Sequence, residues 1–580
     1  MDLCDRNVVW QTPILTYVTA TPLTFAGCFG WLHLPDGPPR ATGIVLCAPF
    51  GCEWLWTHRT YRRLATALAE AGFAVLRFDY HGAGDSLGGD EDPERLAAWL
   101  ASIGAAIDTL KTQTGVTDSA LFGLRLGATL ATVVAARRDD VRTLALWAPF
   151  PTGRAFVREA RAFALLKNEP KGADLQVAGF VVTPATQEAL NGLDATAEKP
   201  RCRLALVLPR DDVSGDTKIA AHLTAHGVEV TAPEVPGYAA MMRDPHQTEV
   251  PKAAIAFITQ WFMETHPARL EHAATPPPAN ALLQGPRFTE HAQIFGERAK
   301  LFGIVTEPTV PRRDRPGIIL FNVGSNHHIG PNRMTVTLAR ALAAHGFTAL
   351  RFDIGGLGDS TPAPGEPENR LYADASVGDA KAAVDFFKTA THADRFVLVG
   401  LCSGAYLAYY ATLSDKRVCE QILINLQTFH WREGDSLEYV MKKSYKSTRF
   451  YRHNAFSKNA WTRLLRGEIN FRGIAATVVQ RVAGRAADAA KSLVSGEGAE
   501  IARAFKSLSA RGTSSFLIFS NEDGGIDEME RHLGPSGRKL RKHDSFRLGF
   551  IADADHTFTP LQSRRELITE VTAHLDKKYP

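Results

Sequence analysis

Two pentapeptides occupy matching places in the chain and differ at the position that decides chemistry. GLCSG (400–404) follows the apolar run RFVLVG (395–400) and precedes AYLAYYATL (405–413), a strand and then a helix by composition. GLRLG (123–127) stands at the corresponding place in the first half. The central side chain of such a turn is Cys402 in one copy and Arg125 in the other. A thiol can attack a carbonyl carbon, whereas a guanidinium does not give up its proton and cannot. The copies are announced upstream: GFAVLRFDYHGAGDS (72–86) and GFTALRFDIGGLGDS (346–360) agree at ten of fifteen positions, 274 residues apart. A repeat on that scale points to internal duplication, with one copy equipped for nucleophilic chemistry and the other not.

The elements around these turns repeat as well. In the first half an extended stretch (28–35) leads to the apolar strand GIVLCAP (43–49), a helix over 60–72 with Leu64, Leu68 and Ala71 on one face, and the strand AVLRFD (74–79). In the second half LFGIVTEP (301–308), GIILFN (317–322), a helix over 334–346, the strand TALRFD (348–353) and a helix near 376–390 follow the same order. Strand, helix and strand in alternation predict right-handed crossovers and mostly parallel, doubly wound sheets. EHAATPPPANALLQGP (271–286) holds four prolines and little that could pack, so it reads as a linker between units at 1–270 and 287–580. Residues 151–200 and 427–511 interrupt the alternation, the second as a larger, helical cap.

A G-x-Cys-x-G turn between strand and helix resembles the nucleophile elbow of the α/β-hydrolase fold. Both halves look like members of that fold, so the expected class is α/β with two tandem α/β-hydrolase domains. The resemblance implies an order of nucleophile, acid and histidine. Beyond the strand 515–519 it points to Asp523 as the acid, with Asp527 and then Glu522 as alternatives. His556, in a loop before a helix around 562–575, is the implied base. The implied oxyanion donors are the N–H of Ser403 and one from Gly324 or Ser325, in the loop VGSNHHIGPNR. His327 and His328 in that loop are expected to be exposed or to touch substrate.

Carried onto the first half, the same pattern puts Asp212 at the acid position and Tyr238 where the histidine should be, with His246 too far along the loop. That half is expected to be noncatalytic. Arg125, with Asp212 and Tyr238, would grip a carboxylate or phosphate, or else Arg125 pairs with Asp212. The segment GCEWLWTHRTYRR, read as a loop, is expected to pack against the other half or to face a partner.

A cysteine beside a histidine at a helix start reacts as the thiolate, and its acyl-enzyme is a thioester, close in energy to a pantetheine thioester. Acyl groups can then arrive from and leave to similar carriers without a large drop in free energy. Relatives by resemblance with G-x-Cys-x-G turns include polyester synthases, dienelactone hydrolases and acyltransferases that serve carrier proteins in nonribosomal peptide pathways. The expected function is therefore an acyltransferase or thioesterase working on coenzyme A or acyl-carrier-protein thioesters. An ester or lactone hydrolase with the same triad is the alternative, and a noncatalytic tandem scaffold a third possibility.

Composition narrows the setting. Hydrophobic content of 45% with 22% charged residues is ordinary for a globular chain, and a net charge of +4 lacks the excess of a general nucleic-acid binder. Within 430–511, however, sixteen Lys or Arg face seven Asp or Glu, interleaved with aromatics such as Tyr445 and Trp461, which suits a phosphate or an acidic carrier. Seven scattered cysteines without zinc spacing suggest a reduced compartment and no metal, and no cofactor is implied. The start MDLCDRNVVWQTP has no secretory pattern and no apolar run approaches the ~20 residues of a membrane span, so a cytoplasmic location is expected.

Overall fold

The computed structural model describes residues 19–37, 39–213, 217–268, 281–310, 312, 314–431 and 497–580. The first half carries a separate hairpin of Leu175–Val177 and Phe180–Val182, and each half builds one large sheet. The first runs, edge to edge, Thr19–Phe25, Cys28–Leu34, Val75–Phe78, Thr42–Cys47, Asp118–Leu124, Val141–Trp147, Leu204–Leu208 and Glu229–Thr231. The second runs Leu282–Gln284, Phe288–Phe295, Leu301–Pro308, Ala349–Phe352, Gly317–Leu320, Phe396–Leu401, Val418–Ile424, Ser514–Ser520 and Phe546–Ile551. In both, the leading strands pair antiparallel and every later pair is parallel. This is the α/β-hydrolase fold, present once in each half. Central strands such as Phe396–Leu401 are buried throughout, as a parallel sheet covered on both faces requires.

Most expected elements fall within a few residues of their places, and two expectations change. The segment GCEWLWTHRTYRR is not a loop. The helix begins at Cys52 rather than Thr60 and runs to Glu70, burying Trp54, His58, Tyr61, Leu64 and Leu68 at helical spacing. The expected linker loses its end, because Leu282–Gln284 pairs antiparallel with Phe288–Phe295; residues 269–280 lie outside the described residues. Of the expected cap, residues 432–496, with the basic and aromatic cluster, also lie outside them. The helix Glu497–Ala510 at its end returns to the core through Ile501 and Phe505. The six described cysteines are free thiols, and Cys4 falls outside the described residues. No helix among the described residues is long and apolar enough to cross a membrane.

The two halves meet through the repeated motif itself. Arg77 of the first copy pairs with Asp359 of the second, and Arg351 of the second pairs with Asp85 of the first at 3.1 Å. These are the same two motif positions, exchanged. Phe29 and Phe302, placed alike on matching strands, meet ring to ring at 6.1 Å. Reciprocal contacts plus a residue meeting its own counterpart are the mark of an isologous, two-fold contact. Charge is matched closely: Arg351 also reaches Glu290 at 2.8 Å, and His58 reaches Asp359 at 3.3 Å. His327 and His328 are buried here, not exposed. His327 stacks on His58 with centroids 4.0 Å apart, and His328 bonds Asp353 (2.8 Å) through Nδ1 and Asp85 (2.7 Å) through Nε2. His328, Asp353 and Asp359 gather ligand atoms within 4.8 Å of one another, but both His328 nitrogens are already spent on carboxylates.

Burial opposes charge on His328, yet Asp85 and Asp353 outweigh it and hold the imidazolium well above the ordinary histidine range. Burial likewise pushes Asp359 up, but Arg77 and His58 prevail and hold it well below the carboxylate range. Asp79 is pushed up to about 7, by burial first and then by the Asp85 charge.

Removing one partner of a buried pair leaves a stranded charge, so Arg351→Met is expected to lower unfolding stability by about 3–5 kcal/mol in denaturant titration. The exposed Arg547–Glu570 pair should hardly register when broken. Groups whose folded values are raised stabilise fully below their unfolded values, and that stability is lost as pH climbs through the folded value. Asp79 loses this contribution between its unfolded value of about 4 and about 7, so the unfolding midpoint should fall over that range and fall less in Asp79→Asn, while His328 loses its own only above about pH 6.5.

Candidate active site

The elbow is a strained turn in both halves. Cys402 sits at φ 57°, ψ −117° and Arg125 at φ 56°, ψ −123°, a region that non-glycine residues seldom occupy. The turn closes only because its flanks are glycine. A Cβ on Gly400 would lie 2.1 Å from the Gly404 carbonyl carbon, and one on Gly404 would lie 2.5 Å from the Asn322 carbonyl oxygen. The Cys402 N–H donates to the Ile424 carbonyl at 3.0 Å, and the Arg125 N–H to the Trp147 carbonyl at 2.9 Å. The backbone is therefore the same in both copies and only the side chain differs.

In the second half the expected acid and base come together. His556 Nδ1 is 2.6 Å from Asp523 Oδ2, and Asp523 is buried at 4% exposure. The other carboxylate oxygen accepts the Gly525 N–H at 2.8 Å and the Gln427 amide at 2.6 Å. Asn425 fixes the histidine loop by donating to the His556 carbonyl at 2.8 Å while accepting the Ser520 N–H. Burial disfavours the His556 imidazolium, but the Cys402 sulfur and the Asp523 carboxylate outweigh it and hold it well above the usual histidine value. Of the three acids considered, Asp523 is the one set against His556; Glu522 is exposed and Asp527 lies in the first turn of the helix Gly525–Leu533.

The oxyanion candidates are arranged less simply. Gly324 N–H donates to the Ser403 hydroxyl at 2.8 Å, and both residues line one small cavity with Asn322, Tyr372, Tyr406 and Leu407. The Ser325 hydroxyl is buried without a hydrogen-bond partner. Tyr372 escaped sequence reasoning: its hydroxyl lies against the Cys402 thiol, and its ring stacks on Trp431 at 4.3 Å. Its backbone is also left-handed, at φ 56°. Gln427 was missed too, since nothing in a loop glutamine signals a carboxylate partner 96 positions away.

The first half carries no such grouping. Arg125 is buried, bonded to Glu53 at 3.1 Å and to Glu159, with its guanidinium 4.1 Å from the centre of the Phe150 ring. Its partners are thus those glutamates and not Asp212, which is held by Arg210 at 2.8 Å. Asp211 is the acid that reaches the loop around Tyr238, accepting the N–H groups of Gly237 (2.6 Å) and Ala239 (2.8 Å). Tyr238 itself is buried against Trp147. With its donors turned to its own acids, Arg125 has little left to offer an incoming anion.

A family model described as serine aminopeptidase, S33, matches residues 55–192, in the half that carries Arg125. No curated protein matches the chain. Among solved structures, a lidless α/β serine hydrolase from Xanthomonas campestris is 15% identical, covering 45% of this chain and 100% of its own at a TM-score of 0.30. Ferulic-acid-bound Est1E from Butyrivibrio proteoclasticus is 19% identical, covering 42% and 97% at 0.33. The proline iminopeptidase of Mycobacterium smegmatis is 16% identical, covering 42% and 98% at 0.32.

Because half-buried Glu53 loses its guanidinium partner, Arg125→Ser should lower stability by about 1–3 kcal/mol. The same variant should gain no esterase activity toward p-nitrophenyl acetate, since Tyr238 offers no base where a histidine would be needed; measurable turnover dependent on the new serine would contradict this.

Proposed function

We propose that the second half is an acyltransferase or thioesterase that forms an acyl-Cys402 intermediate from a coenzyme A or carrier-protein thioester. The observation that carries this reading is Cys402 at a strained helix start with its sulfur against His556, which is in turn held by buried Asp523. His556 takes the thiol proton, and the sulfur pair attacks the carbonyl carbon while the carbonyl π pair moves to oxygen. When that pair returns, the bond to the leaving thiol breaks and His556 returns the proton to the departing sulfur. An acceptor then gives its proton to His556 and attacks the new thioester, releasing Cys402. Asp523 keeps the Nδ1–H side of the ring fixed throughout.

The choice of thioester rests on the cysteine, because sulfur-to-sulfur exchange is close to even in free energy, and on the basic cap read from the sequence. A second reading, hydrolysis of esters or lactones with water as acceptor, would use the same Cys402, His556 and Asp523. In either case the first half takes no chemical part, since Arg125 cannot be a nucleophile.

Incubation with acetyl-coenzyme A, followed by intact-mass measurement, should show one acetyl adduct that disappears in Cys402→Ala. Asp523→Asn and His556→Ala should each slow its formation about a thousandfold or more. Turnover of simple esters without any thioester adduct would favour the hydrolase reading, and failure to acylate with either class would sink both.

A further inference from the structure

The loop that follows the strand Gly317–Leu320 runs from Asn322 to Arg333, and its two ends are held by different halves of the molecule. The near end belongs to the reactive centre. Gly324 N–H meets the hydroxyl of Ser403, the residue next to Cys402, and Asn322 donates to Asp353 at 2.8 Å. The far end is gripped by the first half. His327 stacks on His58, and His328 donates to Asp85. Arg333 donates to the carbonyls of Gly84 (2.5 Å), Gly88 (2.6 Å) and Ser86. Arg333 itself stands at φ 60° and Asn332 at φ 54°, two consecutive left-handed residues that the loop would not hold without outside contacts.

We infer that the first half is a positioning element for the second: its GAGDS turn and His58 fix the loop 322–333, and thereby the Gly324 N–H, which rests on Ser403 Oγ beside Cys402 and would turn to the oxyanion as it forms. Asp85 is the key positioning residue. It touches no reacting atom, but it accepts from His328 and from Arg351, both in the second half. The strong preference of His328 for its charged form, opposed by burial but imposed by Asp85 and Asp353, keeps that link closed. An oxyanion donor acts through its placement, and a shift of a fraction of an ångström is enough to weaken it. The inference rests on the acyl-cysteine reading, since only a carbonyl reaction builds an oxyanion.

Two reagents on the same cysteine separate this role from simple structural support. Acylation of Cys402 by p-nitrophenyl acetate develops negative charge on the carbonyl oxygen, whereas alkylation by iodoacetamide attacks a methylene carbon and develops none. In Asp85→Asn, acylation should slow about a hundredfold, the effect of losing one oxyanion donor, while alkylation stays within about twofold. His58→Ala, which removes the independent stack on His327, should lower the same ratio. Arg62→Ala breaks another bridge between the halves, to Glu368 at 2.6 Å, but away from the loop, and should leave the ratio unchanged. Both rates are read at Cys402 under conditions where circular dichroism shows each variant fully folded, because an unfolded thiol would still alkylate. Equal slowing of both reactions, no slowing of either, or an equal loss of ratio in Arg62→Ala would each overturn the inference. If the unaltered protein alkylates at Cys402 but never acylates, the acyl-cysteine reading fails and takes this one with it. Normal acylation with an unchanged ratio in Asp85→Asn overturns the positioning role alone.

Discussion

A guanidinium withdrawn from water loses hydration worth several kcal/mol, and the protein interior returns it only where a carboxylate waits in good geometry. Two arginines, Arg77 and Arg351, are buried where the halves meet, each facing an aspartate contributed by the opposite copy. Arg351 has a second carboxylate, Glu290, in its own half, but each arginine takes its aspartate from the other copy. The exchange therefore fixes how the sheets dock, and docking in turn decides what surrounds the loop 322–333 and the residues beside Cys402. Aromatic packing at Phe29, Trp31 and Phe302 fills the same contact with apolar surface.

The elbow shows the same economy at a smaller scale. Its left-handed central residue and crowded glycines are identical in two copies that differ in chemistry. Strain of this kind accompanies reactive residues in many enzymes, yet here it persists around Arg125, which is locked to Glu53 and Glu159. The turn is first a way for a parallel strand to hand over to its helix within the crowded centre of the sheet. What sets Cys402 apart is what stands around it, namely His556, Asp523, Gln427 and Tyr372.

Much of this was legible in the sequence. Alternating strands and helices gave the fold, glycine spacing gave the elbow, and the order of acid and histidine led to the pair that the structure brings to 2.6 Å. What escaped were contacts with no local trace. Adjacent histidines in a loop with Gly and Pro look solvent-exposed, and it is the docking of the first half, through His58 and Asp85, that buries His327 and His328. The repeated LRFD and GAGDS or GLGDS segments read as signs of a shared fold, while their role as each other's binding partner requires knowing that the copies face one another. The helix start at Cys52 was hidden because the aromatic and basic run reads as a loop, although Trp54, His58 and Tyr61 are at helical spacing and are buried, His58 against the other half as expected. Arg125 finds Glu53 and Glu159 rather than the acid at the family position because Asp212 is claimed first by its neighbour Arg210.

The reciprocal contact also bears on why the two copies share one chain. Two separate identical subunits would have to associate from dilute solution, and every change in one face would appear in both. Joined by a connection of modest length, the faces see each other at an effective concentration in the millimolar range or above, so the contact can tolerate losses that would dissolve a free dimer. Symmetry is then no longer enforced. One copy can keep a thiol, a histidine and an acid while the other trades them for an arginine clamp, and the pairing of the two continues to hold.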